Sequence, residues 1–325
     1  MTRDDAIFIG DVALDEYFGV DDWPALGDKV WAEPREAELG GMIANAASVH
    51  AALGGSTRFL TTMNDGALSR RLLAELNGQG IDTGLCLVDD SLADSRCLIF
   101  LTGEQHVVIT PRIGDQRFEL DEVSFATLGA ARSIYSSIGD LRRLRFGSLS
   151  PVDIVRALRA AGARVVLDLD VADLEPGDRE LIGATDICFV NRIGFERLAA
   201  GETPEKAVAD LLAGGMSQLI VTLDADGCIV HNSDGQTTVG GIAASVVDVT
   251  GAGDTFCSAF LFAFDRSGDA GIAAQFANGA GARATESHGA RSGVGTVGDV
   301  LDYLSAAGRE TGRLAAALAP RHPAA

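Results

Sequence analysis

The stretch Asp248-Val249-Thr250-Gly251-Ala252-Gly253-Asp254-Thr255 joins two apolar runs and sets what the chain around it can be. The run at 243–247 predicts a buried strand ending at Asp248, and the run at 256–264 predicts the apolar body of a helix. A chain that turns through Gly251, Ala252 and Gly253 into a helix leaves backbone N–H groups unpaired at the helix N-terminus, beside the positive end of its dipole. Such a turn attracts an anion, most often a phosphate. Asp254 would repel that phosphate unless it had a task there, and a fitting task is general base toward a hydroxyl that attacks phosphorus. The plainer alternative is a tight turn whose aspartate only favours the helix dipole.

With Phe256 added, the stretch resembles the C-terminal signature of the ribokinase-like carbohydrate kinases, also called the phosphofructokinase B family. The resemblance runs with variable strength from Ile7 to about Leu304. It implies a three-layer α/β/α fold with a mainly parallel central sheet and a small β lid. It implies that Gly251, Ala252 and Gly253 form an anion hole, that Asp254 is the catalytic base, and that ATP and Mg²⁺ take part. Residues 1–318 are expected to form one such kinase domain, with lid segments near 13–38 and 94–112 and a frayed tail at 319–325.

Composition narrows the partners. A net charge of −20 argues against nucleic acid or an anionic membrane, because nothing here would neutralise a run of phosphates. Lys29 and Lys206 are the only lysines and neither follows a glycine-rich turn, so a P-loop of the form GxxxxGK is absent. ATP would have to be held by amides and metal ions. Cys86, Cys97, Cys188, Cys228 and Cys257 are scattered and odd in number, which predicts reduced thiols in a cytoplasmic protein. The N-terminus lacks the apolar core of a signal peptide, and no apolar run is long enough to span a bilayer.

Residues 6–10 predict a short strand, followed by Asp11 and Asp15 where α/β proteins place ligand contacts. In the resembled family the position of Asp15 binds sugar hydroxyls, although an Asn common two residues earlier is Ala13 here. The irregular segment 18–38 and the β-like stretch 96–110 predict a small covering sheet, which in the family often mediates a homodimer. Gly40-Gly41-Met42-Ile43-Ala44-Asn45 opens a helix that continues to Leu53. Two glycines allow close approach to a ligand and Asn45 can donate and accept. The resemblance assigns Gly40, Gly41 and Asn45 to the sugar. Met42 stands where many relatives have Lys, which favours a neutral substrate.

Strands at 57–62, 134–137, 165–169, 187–190 and 219–223 alternate with helices at 69–76, 151–161 and 204–213, predicting a parallel sheet covered on both faces. Two loops resemble nucleotide contacts. Asn191 matches the start of an Asn-x-x-Glu pattern whose Glu is Gly194 here, with Glu196 two residues late. Thr222-Leu223-Asp224-Ala225-Asp226-Gly227 resembles Thr-Leu-Gly-x-x-Gly, with Asp224 for the first Gly. The cofactor-binding set implied is Asn191, Thr222, Asp224, Gly227, Gly253 and Asn278, the last on a helix expected at 269–285. Asp248 and Thr250, with carbonyls of Ala284, Ser287, Gly289 and Gly293, are the implied ligands of a monovalent cation, K⁺ by preference. His288 in that loop reads as an ordinary surface histidine.

The expected activity is phosphoryl transfer from ATP to a small, neutral carbohydrate. A nucleoside kinase would need an apolar surface for a base, which Phe18, Trp23 and Trp31 could supply. A catalytically silent binding protein is favoured by Gly194 and Asp224 and opposed by Asp254. A dinucleotide-binding oxidoreductase fits poorly, since Gly251-Ala252-Gly253 lacks the third glycine of GxGxxG and follows a late strand.

Overall fold

Near-continuous apolar runs such as Arg164–Asp168, Ile187–Asn191 and Gln218–Thr222 are buried on both sides, as central parallel strands require. The computed structural model describes residues 5–103, 105–169, 174–291 and 293–319. Most of the expected tail lies outside them. Among the described residues an eight-stranded sheet has at its centre the parallel strands Ser56–Leu60, Asp5–Ile9, Ser133–Ser137, Arg164–Asp168, Ile187–Asn191 and Gln218–Thr222, side by side in that order. An antiparallel hairpin, Gly227–Asn232 and Gly235–Gly240, extends one edge.

Alternation along the first strand divides the interior. Ala6 and Phe8 point into a core shared with the helices Met42–Ala52, Ala252–Ser267 and Ala270–Ala284, while Ile7 and Ile9 point into a second core with Pro151–Ala160. The helix Ala252–Ser267 buries Phe256, Phe260, Phe262 and Phe264. At roughly 1.5–3 kcal/mol for each buried phenyl, this packing fixes where the helix N-terminus points. Helices begin as their sequences dictate. Ser150 and Thr203 cap the helices that open at Pro151 and Pro204, where a missing N–H costs nothing.

The chain leaves the first strand to build a separate five-stranded sheet from Ala13–Gly19, Glu33–Pro34, Glu38–Gly40, Arg96–Thr102 and Gln105–Ile109. This is the expected lid. Along Ala13–Gly19 alternation puts Asp15 and Tyr17 on one face, Glu16 and Phe18 on the other.

The expected strand at 243–247 is absent, and this corrects the sequence reading. Val246, Val247 and Val249 are exposed at 61, 51 and 68 %. The amides of Val247 and Asp248 both donate to the carbonyl of Thr285 and that of Ser245 donates to Glu286 Oε1, so the segment lies as a loop on the turn after the helix Ala270–Ala284. The strand that precedes the Gly251 turn is the edge strand Gly235–Gly240.

Candidate active site

The turn before the helix Ala252–Ser267 presents backbone amides at the helix N-terminus. Gly251 caps the helix with φ 72°, and an added Cβ there would fall 2.5 Å from the carbonyl oxygen of Ala290. Only glycine fits that position. The amide of Ala252 turns back to Val249 O at 3.2 Å, while those of Gly251 and Gly253 meet no backbone acceptor among the described residues.

Asp254 sits in the first turn of this helix, and the N-terminal signature meets it there. Asn45 Nδ2 donates to Asp254 Oδ2 at 3.0 Å, across 209 residues of sequence. Asn45 is 8 % exposed, and its Oδ1 accepts no hydrogen bond among the described residues. A buried acceptor beside the Asp254 carboxylate fits a hydroxyl-bearing ligand, because leaving it unsatisfied is costly.

Gly40 and Gly41 are also required to be glycine by their internal contacts. An added Cβ at Gly40 would fall 2.1 Å from the Asp15 carboxyl carbon, and one at Gly41 2.7 Å from Asp11 O, with φ already 101°. The bare Gly40 thus lets the Asp15 carboxylate lie against it at the lid base. Burial pushes the Asp15 carboxyl up to about 6, against the opposing charge of Arg291 and with the support of Asp11 and Glu38. Tyr17, on the same face, is pushed up to about 12 by burial and by the charges of Asp15, Glu38 and Asp248. Beneath them Asp11 and Asp140 stand past the ends of two adjacent strands. Burial raises both, the charge of Asp11 adds to Asp140, and Arg143 opposes the rise in each.

At the other end of the helix pair, a cavity of about 540 Å³ is lined by Thr238, Gly240, Ile242, Gln275, Asn278 and Arg309, among others. Asn278 Nδ2 donates to Val239 O and Gly240 O at 3.1 and 3.2 Å, pinning the helix to the edge strand. Asp248 ties the loop before Gly251 to the loop after Ala284. Burial alone would raise its carboxyl, but the amides of Gly289 and Thr250 outweigh that and hold it below the ordinary range.

Comparisons with known proteins give the family and the fold. The family model for pfkB family carbohydrate kinases matches residues 8–296. The chain belongs to that family. It is 26 % identical to an uncharacterized sugar kinase of Archaeoglobus fulgidus over 255 residues, 74 % of this chain and 96 % of that one. It is 24 % identical to a nucleoside kinase of Methanothermobacter thermautotrophicus over 312 residues, 93 % of this chain and 96 % of that one. The structure of Arabidopsis thaliana ribokinase complexed with ribose and ATP superposes with a TM-score of 0.78 at 22 % identity, covering 94 % of this chain and 99 % of that one.

Where this pfkB chain departs from the resembled pattern, the structure gives local reasons. Asn191 Oδ1 accepts from Gly194 N at 2.8 Å, so the side chain caps the helix Arg192–Ala199, and Glu196 is exposed on that helix. Asp224 has φ 52°, the left-handed backbone that glycine would take easily and that Asp tolerates better than most residues. It is exposed, and Arg192 pairs with the neighbouring Asp226 at 3.4 Å. Thr222 and Gly227 flank this turn at the end of the sheet. Of the implied cation ligands, Asp248, Thr250, Ser287 and Gly289 share one loop junction, whereas the carbonyls of Gly293 and Ala284 already accept from Arg283 and from the amide of Ser287.

Three features were missed from the sequence. Phe18 and Phe100 stack at 5.4 Å, with Trp23 on Phe100 at 5.8 Å, on the lid face opposite Asp15 and not beneath the lid. Tyr17 is the aromatic residue that shares the Asp15 face, a fact strand alternation could have given once the strand was placed. Arg291 lies in the loop after Ala284, and no local signal in the sequence announces that it reaches the lid base.

Proposed function

We propose that this pfkB family kinase transfers the terminal phosphate of ATP to a hydroxyl of a small neutral carbohydrate. The observation that carries the reading is the Asn45–Asp254 hydrogen bond at the mouth of the Gly251 turn, which joins a hydroxyl-binding residue to a base beside an anion site. Asp254 takes the hydroxyl proton as the oxygen–phosphorus bond forms and the bond to the ADP oxygen breaks. The amides of Gly251 and Gly253 meet the charge that accumulates on the transferring group. ATP enters the cavity at Asn278, and Asn191, Thr222, Asp224 and Gly227 border its phosphates. Mg²⁺, when bound, would neutralise phosphate charge. With Gly194 in place of a carboxylate, it would be held mainly by phosphate oxygens and water. Asp248, Thr250 and the carbonyls around Gly289 are a donor set suited to a monovalent cation. Its charge would add to that of the amides.

Met42 and the carboxylates of Asp15, Glu38 and Asp11 favour a neutral substrate. The exposed lid face, with Trp23 at 47 % and Trp31 at 97 % exposure, is the surface we propose for a homodimer. Five free thiols suit a reducing compartment, the cytoplasm in this reading. Among the described residues no helix is long and apolar enough to cross a membrane. A nucleoside substrate remains the second reading, supported by the nucleoside kinase among the relatives.

The test is ADP release against free sugars, sugar phosphates, sugar acids and nucleosides, run in potassium, sodium and tetramethylammonium salts. Neutral sugars should lead and potassium should give the highest rate. Sugar phosphates outperforming free sugars would sink the neutral-substrate reading, and equal rates in the three salts would dismiss the cation. Nucleotide binding by calorimetry with no ADP release from any acceptor would leave a silent binder.

Asp15 gives a pH dependence. Its carboxyl is ionised above about 6 and protonated below, and only the ionised form offers two acceptors to sugar hydroxyls. Sugar KM should therefore be level at neutral pH and rise as the pH falls through about 6, with ATP KM unmoved. A sugar KM that stays flat through that range would remove Asp15 from the site.

A further inference from the structure

Arg291 is carried by the loop that follows the helix Ala270–Ala284, yet its guanidinium donates to the carbonyl of Leu39 at the base of the lid. The next residue of that strand, Gly40, is the one on which the Asp15 carboxylate lies. Asp15 pairs across the lid with Glu38. The guanidinium is therefore within electrostatic reach of Asp15, Glu38, Glu75 and Tyr17, and burial works against its charge. Among the described residues it makes no ion pair and no second hydrogen bond, and Asp15 accepts none. A planar donor group and a carboxylate, each half-buried with hydrogen-bonding capacity unspent, face the same strand without touching. Arg291 also lines a cavity of about 620 Å³ with Glu38, Ser48, Glu75 and His288, on the side away from Asp15, which does not border it.

We propose that Arg291 is a substrate-binding residue that acts opposite Asp15, donating to one oxygen of a neutral polyol while a neighbouring hydroxyl of the same molecule donates to Asp15. The arrangement reads two adjacent hydroxyls by complementary chemistry, one as acceptor and one as donor. It selects against anionic sugars despite the arginine, because three carboxylates already surround that single charge. The dipeptide Ala290–Arg291 also joins both ends of the site, since Ala290 packs on Gly251 at the anion turn. The proposal rests on the kinase reading above.

The experiment compares wild type with Arg291→Met and Arg291→Lys on the best sugar of the panel and on its deoxy analogues, with thermal melts to verify folding. Arg291→Met should raise sugar KM by about 10- to 100-fold, the worth of a charge-assisted hydrogen bond, with a smaller change in kcat and no change in ATP KM. Arg291→Lys keeps the charge without the planar fork and should fall between. The loss should vanish for the deoxy analogue that lacks the contacted hydroxyl, which a merely structural role at Leu39 would not produce. Equal sugar KM in all three proteins, or the same loss with every deoxy analogue, would overturn the proposal while leaving the kinase reading intact. If wild type binds a sugar without turnover, the kinase reading fails and calorimetric sugar affinity replaces KM in the same comparison. If no sugar binds wild type at all, both fail.

Discussion

Asp254→Asn should lower kcat by roughly 10²–10⁴, the usual worth of a positioned general base, while nucleotide and sugar binding survive. The substitution keeps the size of the side chain and one oxygen acceptor. With the remaining amide oriented suitably, that oxygen can still take the hydrogen bond from Asn45 Nδ2, now 3.0 Å from Asp254 Oδ2. What is lost is the capacity to accept a proton. Steady-state ADP release, set beside calorimetry for both ligands, separates these effects. A variant that turns over at the wild-type rate would remove Asp254 from the chemistry, and one that no longer binds would make it a binding residue instead.

Gly251→Ala should lower kcat by about 10²–10³, the cost typical of losing one donor to a developing oxyanion, and should lower Tm as well. At φ 72° an added Cβ would fall 2.5 Å from Ala290 O and 2.6 Å from Ala290 Cα, so one of two backbone segments must move. Either movement turns the Gly251 amide away from its present direction. Gly253→Ala is the matched control for the fold, because an added Cβ there meets nothing within 4 Å and the backbone is already helical. Its melt should be close to wild type. Any rise in its ATP KM would then report the approach of a phosphate to that Cα. Wild-type kcat in Gly251→Ala would show that the turn does not hold the reacting group.

The pH and arginine experiments bear on the sugar end of the site and these two on the phosphoryl end. Asn45 links them, since it donates to Asp254 through Nδ2 and keeps Oδ1 for another partner.

The sequence by itself determined the fold class and the backbone of both signatures. Apolar runs of strand length alternating with capped helices leave few arrangements besides a covered parallel sheet, and that is a property of each segment read locally. The Gly251 turn and the Gly40–Gly41 pair were legible for the same reason, since a glycine-bearing turn into a helix depends on residues adjacent in the chain. The run at 243–247 misled because apolar β-branched residues look alike in a buried strand and in a loop. Its course was decided by the carbonyl of Thr285, which takes the amide of Val247 and that of Asp248 just beyond the run. Only the tertiary structure could bring Asn45 to Asp254 across 209 residues, or Arg291 to Leu39 across 252. It also showed that Gly40 is bare to seat the Asp15 carboxylate. Side-chain partnerships at such separations are set by how the helices pack on the sheet, and no local periodicity encodes them.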